Sequence, residues 1–191
     1  GIGGPLGGHI QAFKKDGSSV TGFPVNVGKY TMSPTLSDLD GNGSMEIILG
    51  TRTGQAFVYK GDGTVYPGWP IQMDRYVGAS ASAGDVNNDG IMDVVMESRN
   101  LLYVWNKDGQ LLPGFPFAIL DSLVGSNSYS APVLVDLTGD GKLEIVFCSH
   151  SDVTNAGGII YGVRYDGTNL PGFPKTVPNW IYGSPIVGDI D

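Results

Sequence analysis

The chain has 191 residues, 30 of them glycine and 12 proline, a density that excludes long helices, since each interior glycine costs a helix roughly 1 kcal/mol and each proline about 3. Hydrophobic residues make up 41 %, enough to build a core and too many for a disordered chain. Eleven basic residues against 19 acidic ones give a net charge of −8, which argues against a nucleic-acid partner, and no run approaches the ~18 apolar residues of a membrane helix, so membrane insertion is not expected.

No secretory leader is visible, and the chain opens on Gly1 without a methionine. The single cysteine, Cys148, has no partner for an internal disulfide. It lies in the apolar run EIVFCS and reads as a small buried hydrophobe, which leaves the redox compartment open.

The chain is built on an internal repeat. From the amino end, the first unit (1–28, partial) carries Asp16-Gly17 and, six residues after Asp16, Gly22-Phe23-Pro24. The same pair of signals returns at Asp62 with Gly68-Trp69-Pro70, at Asp108 with Gly114-Phe115-Pro116, and at Asp166 with Gly172-Phe173-Pro174. Between them lie DLDGNGSMEI from Asp38, DVNNDGIMDV from Asp85 and DLTGDGKLEI from Asp136. A fourth copy begins at Asp189 and includes Asp191; the spacings are 47, 51 and 53 residues. Full units are therefore expected over 29–74, 75–120 and 121–178, with a second partial unit at 179–191.

Each unit reads as four short strands. In the second unit, strand A is SPTLSDL, strand B follows the acidic loop as MEIILGT, strand C is QAFVYK, and strand D begins near Gly68-Trp69-Pro70 after the Asp-Gly turn. Strands B and C are apolar on both faces (EIVFCS, LLYVWN), which suits a sheet sandwiched between neighbours. Pro34, Pro132 and Pro185 stand at the start of strand A, where a missing N–H is tolerated. Four-stranded units every ~40–50 residues predict an all-β fold, a β-propeller of stacked blades. A β-sandwich is the alternative, and it gives no reason for a strict repeat of loop and turn.

Offsetting the first unit by 46 residues sets Ile2 on Ile48 and Gly4 on Gly50, so the chain starts in strand B, while Asp191 aligns with Asp40 inside an acidic loop. Two arrangements fit: a four-bladed ring closed between the chain ends, or part of a larger propeller, the remainder of which would then be a partner. The second is favoured, because natural ends rarely bisect a metal loop.

The acidic loops have the donor spacing of calcium sites. Positions 1, 3, 5, 7 and 9 offer Asp38, Asp40, Asn42, the Ser44 carbonyl and Glu46 in the first loop. The second offers Asp85, Asn87, Asp89, the Ile91 carbonyl and Asp93; the third, Asp136, Thr138, Asp140, the Lys142 carbonyl and Glu144. All are oxygen donors, the sixth position is always Gly (Gly43, Gly90, Gly141), and Ca²⁺ takes six to eight oxygens in flexible geometry. Carboxylates brought this close repel unless a cation lies between them. The loops are not EF-hands, since position 12 is Leu49, Met96 or Phe147 in place of a bidentate Glu. Three complete Ca²⁺ sites and a truncated fourth (Asp189, Asp191) are expected. Eleven of the 19 acids fall in these loops, and three bound ions would bring the net charge near −2. Without a metal the loops would be ordinary Asp/Asn/Gly turns.

On these residues the chain resembles the FG-GAP/VCBS repeat family, the integrin α-subunit type of propeller, with YVGASASAGDVNNDGIMDVVMES as the nearest copy and a signature similar to the bacterial secreted and surface branch. Tyr182-Gly183 matches the family's aromatic-Gly opening, whereas Gly50-Thr51, Glu97-Ser98 and Cys148-Ser149 depart from its Gly-Ala-Pro close. The resemblance implies structural calcium holding the A–B loop of each blade and an extracellular or cell-surface setting.

A–B and C–D connections share one face of a propeller, B–C and D–A the other. The fourth unit has long connections on the second face, containing Leu120–Ser130 and His150–Gly158, and inserted loops on a rigid scaffold are where binding usually resides. Tyr30, Tyr76, Tyr129 and Tyr182 recur on this face and read either as packing aromatics or, with Trp180, as a stacking surface for a sugar ring or peptide. Trp180 does not recur and is the better ligand candidate, with Tyr129 and His150 beside it; His150 also reads as an ordinary loop histidine. The function expected is a non-catalytic, calcium-stabilised binding or scaffold module taking a glycan or a protein. The alternative is the propeller of a polysaccharide-active enzyme such as a lyase. It is disfavoured because only His9, His150, the basic residues and four spare acids (Asp74, Glu97, Asp121, Asp152) lie outside the loops and turns.

Overall fold

The β-branched and aromatic runs between the Gly, Asp and Asn clusters take strand conformation. The computed structural model describes residues 7–28, 30–99, 101–119, 126–127, 129–151 and 157–188, with backbone alone at 126, 127, 150 and 151. Asp121, Asp152, Asp189 and Asp191 lie outside the described residues.

The first sheet is a pair, β1 (Gly8–Ile10) with β2 (Val25–Gly28). The second runs β3 (Thr35–Ser37), β4 (Glu46–Gly50), β5 (Gln55–Tyr59), β6 (Ile71–Gln72) in that spatial order. The third repeats it with β7 (Ser82–Gly84), β8 (Asp93–Glu97), β9 (Leu101–Trp105) and β10 (Phe117–Ala118). The fourth comprises β11 (Ser126–Asn127), β12 (Val133–Val135), β13 (Glu144–Ser151), β14 (Gly158–Val163) and β15 (Lys175–Val177). Its fifth strand is β11, which pairs with the far end of β13. All pairings are antiparallel, and β3–β6, β7–β10 and β12–β15 are meanders, as the A–B–C–D reading requires. Among the described residues there is no helix, and none is long and apolar enough to cross a membrane.

Strand alternation sends each sheet's apolar side chains to both faces. In β4, Ile48 packs toward the third sheet while Ile47 and Leu49 pack toward the first. In β9, Tyr103 and Trp105 face the second sheet while Leu102 and Val104 face the fourth. Three cores result, one between each pair of successive sheets, whereas a β-sandwich has a single core between two sheets. The architecture is that of β-propeller blades, and the sandwich alternative is set aside. Large side chains carry the stacking: Tyr103 lies flat on Trp105 at 4.9 Å, and Trp69 meets Trp105 edge-on at 5.6 Å. Such pairs add about 0.5–1.5 kcal/mol beyond the area they bury.

The first strands of successive blades also touch. Thr35 Oγ1 donates to the Ala81 carbonyl (2.7 Å), Ser82 Oγ to the Pro132 carbonyl, and the Ala131 N–H to Ser184 Oγ (2.9 Å).

A second joint explains the paired sequence signals. All four Gly-Phe/Trp-Pro segments have a cis peptide before the proline, and the first three lie against the Asp-Gly turn of the next blade. A Cβ at Gly22, Gly68 or Gly114 would overlap the carbonyl oxygen of Asp62, Asp108 or Asp166. Only glycine permits that approach. Trp69 adds a hydrogen bond across the joint, its Nε1–H donating to the Lys107 carbonyl (2.9 Å).

Among the described residues the four-bladed ring is not closed: β1 pairs only with β2, and nothing lies within 4 Å of a Cβ built at Gly17 or Gly172.

Candidate metal centre and the opposite rim

The acidic loops join the first and second strands of their blades, β3 to β4, β7 to β8 and β12 to β13, and all three fold on one hydrogen-bond template. The first aspartate accepts from the N–H groups of positions 5 and 6. Asp38 takes Asn42 (3.0 Å) and Gly43 (2.8 Å); Asp85 takes Asp89 (2.9 Å) and Gly90 (2.8 Å); Asp136 takes Asp140 (3.2 Å) and Gly141 (2.8 Å). The fifth side chain accepts from the seventh N–H: Ser44 to Asn42 Oδ1 (2.7 Å), Ile91 to Asp89 Oδ1 (2.9 Å) and Lys142 to Asp140 Oδ1 (2.9 Å). Asp40 and Asn87 at the third position accept from position 5 in the first two loops, at 3.2 and 3.1 Å. In the third loop the Gly139 N–H donates to Asp136 instead (2.6 Å), and no such bond to Thr138 is formed.

The ninth-position acids are buried beneath the loops: Glu46 is 2 % exposed, Asp93 0 % and Glu144 1 %. One oxygen of each accepts from the second-position N–H, of Leu39 (2.9 Å), Val86 (3.0 Å) and Leu137 (2.8 Å). The other oxygen of Asp93, Oδ1, is buried with no hydrogen-bond partner. Burial, with Asp89 and Asp85 adding to it, pushes the Asp93 carboxyl up to about 7. Burial likewise raises Glu46, with Asp40 and Asp38 contributing. A buried, unpartnered carboxylate oxygen beside two further carboxylates is an unfavourable arrangement without a cation. The donors are all hard oxygens, so the residues fit a Ca²⁺-type ion.

Among the described residues, the first loop alone gathers three acidic side chains tightly, with ligand atoms of Asp38, Asp40 and Glu46 all within 4.8 Å of one another. In the second loop the Asn87 amide donates to Asp89 Oδ2 (2.9 Å), which occupies that carboxylate. In the third the Gly141 N–H, followed by those of Gly139 and Asp140, holds Asp136 below the usual carboxylate range.

Two supports of this face were not read from the sequence. Tyr66, beyond the Asp-Gly turn of its blade, donates its hydroxyl to Asp40 Oδ2 (3.2 Å), and burial, with Asp40 adding, pushes the phenol up to about 12. Lys142 places its Nζ 3.7 Å from the centroid of the Tyr165 ring. Both link an A–B loop to the C–D side of its own blade, as the shared-face reading requires. The fixed place of Tyr66 after the Asp-Gly turn was the only available signal. Loops also meet across blades, where the Leu143 N–H donates to the Val86 carbonyl (3.0 Å).

On the opposite rim, Tyr129 stacks on Tyr182 at 6.3 Å, and Trp180 meets Tyr182 edge-on at 6.1 Å. The three are 38, 58 and 42 % exposed, so they pack on one another and still face solvent. The two long connections of the fourth unit meet, Asn127 pairing with His150 and Ser126 with Ser151. The His150 side chain lies outside the described residues. Of the spare acids, Asp74 accepts from Ser98 Oγ (2.5 Å) and the Tyr103 hydroxyl (3.1 Å), and Glu97 is buried.

Residues 38–96, which span the second blade's acidic loop through the third blade's second strand, match the sequence model of the FG-GAP-like repeat. No curated protein matches the chain. Among solved structures, it is similar to the biofilm matrix protein Bap1 of V. cholerae, at 19 % identity over 90 % of this chain and 33 % of that one, with a TM-score of 0.45. It is also similar to BBS1N in complex with ARL6DN, in a lead-soaked crystal (12 % identity, 92 % of this chain, 50 % of that one, TM-score 0.56) and in a mercury-soaked one (12 %, 91 %, 50 %, 0.55). The chain thus spans a third to a half of the structures it matches. The BBS1N likeness bears on the fold alone.

Proposed function

We infer that the chain is a non-catalytic, calcium-stabilised binding or scaffold module of a secreted or cell-surface protein. Its metal face is structural and its opposite rim takes a glycan or protein ligand. The observation that carries this reading is the shared loop template ending on a buried ninth-position acid, with Asp93 Oδ1 left without a partner. Asp38, Asp40, Asn42, the Ser44 carbonyl and Glu46 would hold one ion. Asp85, Asn87, Asp89, the Ile91 carbonyl and Asp93 would hold a second; Asp136, Thr138, Asp140, the Lys142 carbonyl and Glu144 a third. A bound cation would supply the positive charge that makes ionisation of these acids favourable. Such sites fill at the millimolar Ca²⁺ of an extracellular setting, where Kd values of ~10⁻⁴–10⁻³ M suffice.

A structural role for Asp74, satisfied by Ser98 and Tyr103, supports the non-catalytic reading. The exposed Tyr129–Tyr182–Trp180 group supports ligand stacking on the opposite rim, since aromatic faces take apolar sugar faces and peptide side chains alike.

The test is a thermal melt in millimolar Ca²⁺ and in EGTA, followed by a glycan array and a protein-capture screen with the native chain and Trp180→Ala. Calcium should raise the melting temperature, and one screen should give a signal that Trp180→Ala loses. A melt indifferent to EGTA would sink the metal role. A signal untouched by the Trp180 change would remove the rim.

A further inference from the structure

The charges of the chain are sorted between the two faces of its blades. Eleven of the 19 acids fall in the acidic loops and four more in the Asp-Gly turns, all on the metal face. Three of the four arginines, Arg52, Arg75 and Arg99, stand on the opposite rim, in the connections between β4 and β5, β6 and β7, and β8 and β9. Arg52 and Arg75 are exposed and form no ion pair among the described residues. Of the two acids beside them, Asp74 accepts from Ser98 Oγ and the Tyr103 hydroxyl, and Glu97 is buried.

The same piece of ladder sets an aromatic residue beside an arginine in two successive blades. Thr31 bridges to Thr51 and Val77 to Ser98, both antiparallel, so the residue before the first and the residue after the second emerge side by side: Tyr30 with Arg52, Tyr76 with Arg99. The Arg52 N–H donates to the Tyr30 carbonyl (2.9 Å), and the Arg99 guanidinium stands 6.0 Å from the centroid of the Tyr76 ring. Arg75 joins the two pairs. It directly precedes Tyr76, and its carbonyl lies 2.7 Å from where a Cβ would stand on Gly54, in the turn that carries Arg52. Gln72 Nε2 fixes that turn by donating to the Thr53 and Gly54 carbonyls (3.3 and 3.0 Å). Tyr30 is 63 % exposed and holds a left-handed backbone, φ 59°, a strain that burial of its ring does not offset.

On the footing that this rim is the ligand face, we propose that it binds an acidic polysaccharide, whose sugar rings stack on Tyr30 and Tyr76 while their carboxylates pair with Arg52, Arg75 and Arg99. The planar guanidinium matches a carboxylate with two parallel hydrogen bonds, which a lysine cannot do. Aromatic faces take the apolar face of a sugar ring. The site recurs from one blade to the next, a ring beside a cation each time, and a polymer that repeats rings and carboxylates along its length answers that recurrence. An acidic peptide carries its carboxylates on flexible stems and brings no ring to stack. The bridges and the Gln72 bonds hold the backbone of the site in place before a ligand arrives, which lowers the ordering cost of binding.

Calorimetric titration of the chain in Ca²⁺ with oligosaccharides of hyaluronan, polygalacturonate and alginate, each also in a carboxyl-reduced form, tests this. At least one acidic form should bind, its reduced form should bind roughly tenfold or more weakly, and added salt should weaken the acidic form alone. Arg52→Gln and Arg99→Gln should each weaken binding by roughly tenfold and melt as the native chain does. Lys15→Gln, which removes the same charge from the metal face, should bind as the native chain does. Binding of no acidic form, equal affinity for an acidic form and its reduced counterpart, or arginine variants that bind undiminished would each overturn the proposal, as would a polyglutamate peptide that binds more tightly than the oligosaccharides. A chain that takes none of these oligosaccharides yet gives a Trp180-dependent signal in the screens keeps the rim as a ligand face and loses the acidic polysaccharide; a chain silent in every screen loses both. The comparison of acidic with reduced oligosaccharide decides the matter on the native chain even if a variant fails to fold.

Discussion

Asp93 concentrates the argument for a cation in one side chain. Its Oδ2 accepts from the Val86 N–H, its Oδ1 has no partner, and burial beside Asp85 and Asp89 makes its charge costly. Replacing it by Asn removes that cost and a ligand together. In EGTA, Asp93→Asn should therefore melt no lower than the native chain, whereas in Ca²⁺ it should lose one site's share of the calcium-induced rise. With Ca²⁺ at about ten times Kd, that share is about 1.4 kcal/mol, or roughly 3–6 °C for a domain of this size. Equal melting losses in both buffers would show that Asp93 acts by packing and not by binding metal. The carboxylate spacing was legible in the sequence, but the burial of the ninth acid was not, because it depends on where β4, β8 and β13 place their first residues under the loop.

At the scale of elements, the joint between Gly-Phe/Trp-Pro and the following Asp-Gly turn sets the spacing of the blades. Gly68 and Gly172 are equivalent in sequence and share a left-handed backbone, with φ of +89° and +85°. They differ in that Gly68 meets the Asp108 carbonyl and Gly172 meets nothing described. Alanine at either position carries the backbone strain, and only at Gly68 does it also overlap the next blade. Gly68→Ala should thus cost about 1–3 kcal/mol more than Gly172→Ala, roughly 2–12 °C in melting temperature. Equal costs would mean that the joint yields without penalty. The sequence showed that the two signals recur together, six residues apart. It did not show that they belong to neighbouring blades, because a repeat pattern carries no record of which copy touches which.

Over the whole molecule, two groups of acids set opposite pH dependences in the metal-free chain. The turn residues Asp16, Asp62 and Asp166 are held below 3.8 by hydrogen bonds from Ser18, Thr64 and Thr168, and Asp136 by loop N–H groups. Their contribution is present above pH 3.8 and is lost as pH falls through their folded values. Asp93 runs the other way: folded, it keeps its proton to about 7, while unfolded it releases it near 3.8, so stability falls as pH rises between those values. Melting in EGTA should therefore decline from pH 4 to 7, and saturating Ca²⁺ should abolish that decline by favouring the ionised form. A flat profile in EGTA would contradict the burial of this charge.

The sequence by itself determined the repeat, the strand order within each blade and the oxygen-donor loops, since these follow from local spacing, strand propensity and turn chemistry. Tertiary structure alone decided that the sheets stack through three cores, which among the described residues do not close into a ring, and that Tyr129, Tyr182 and Trp180 meet. Those outcomes depend on how each blade is set against the next, and pairwise packing between distant segments leaves no local trace in the residues that make it.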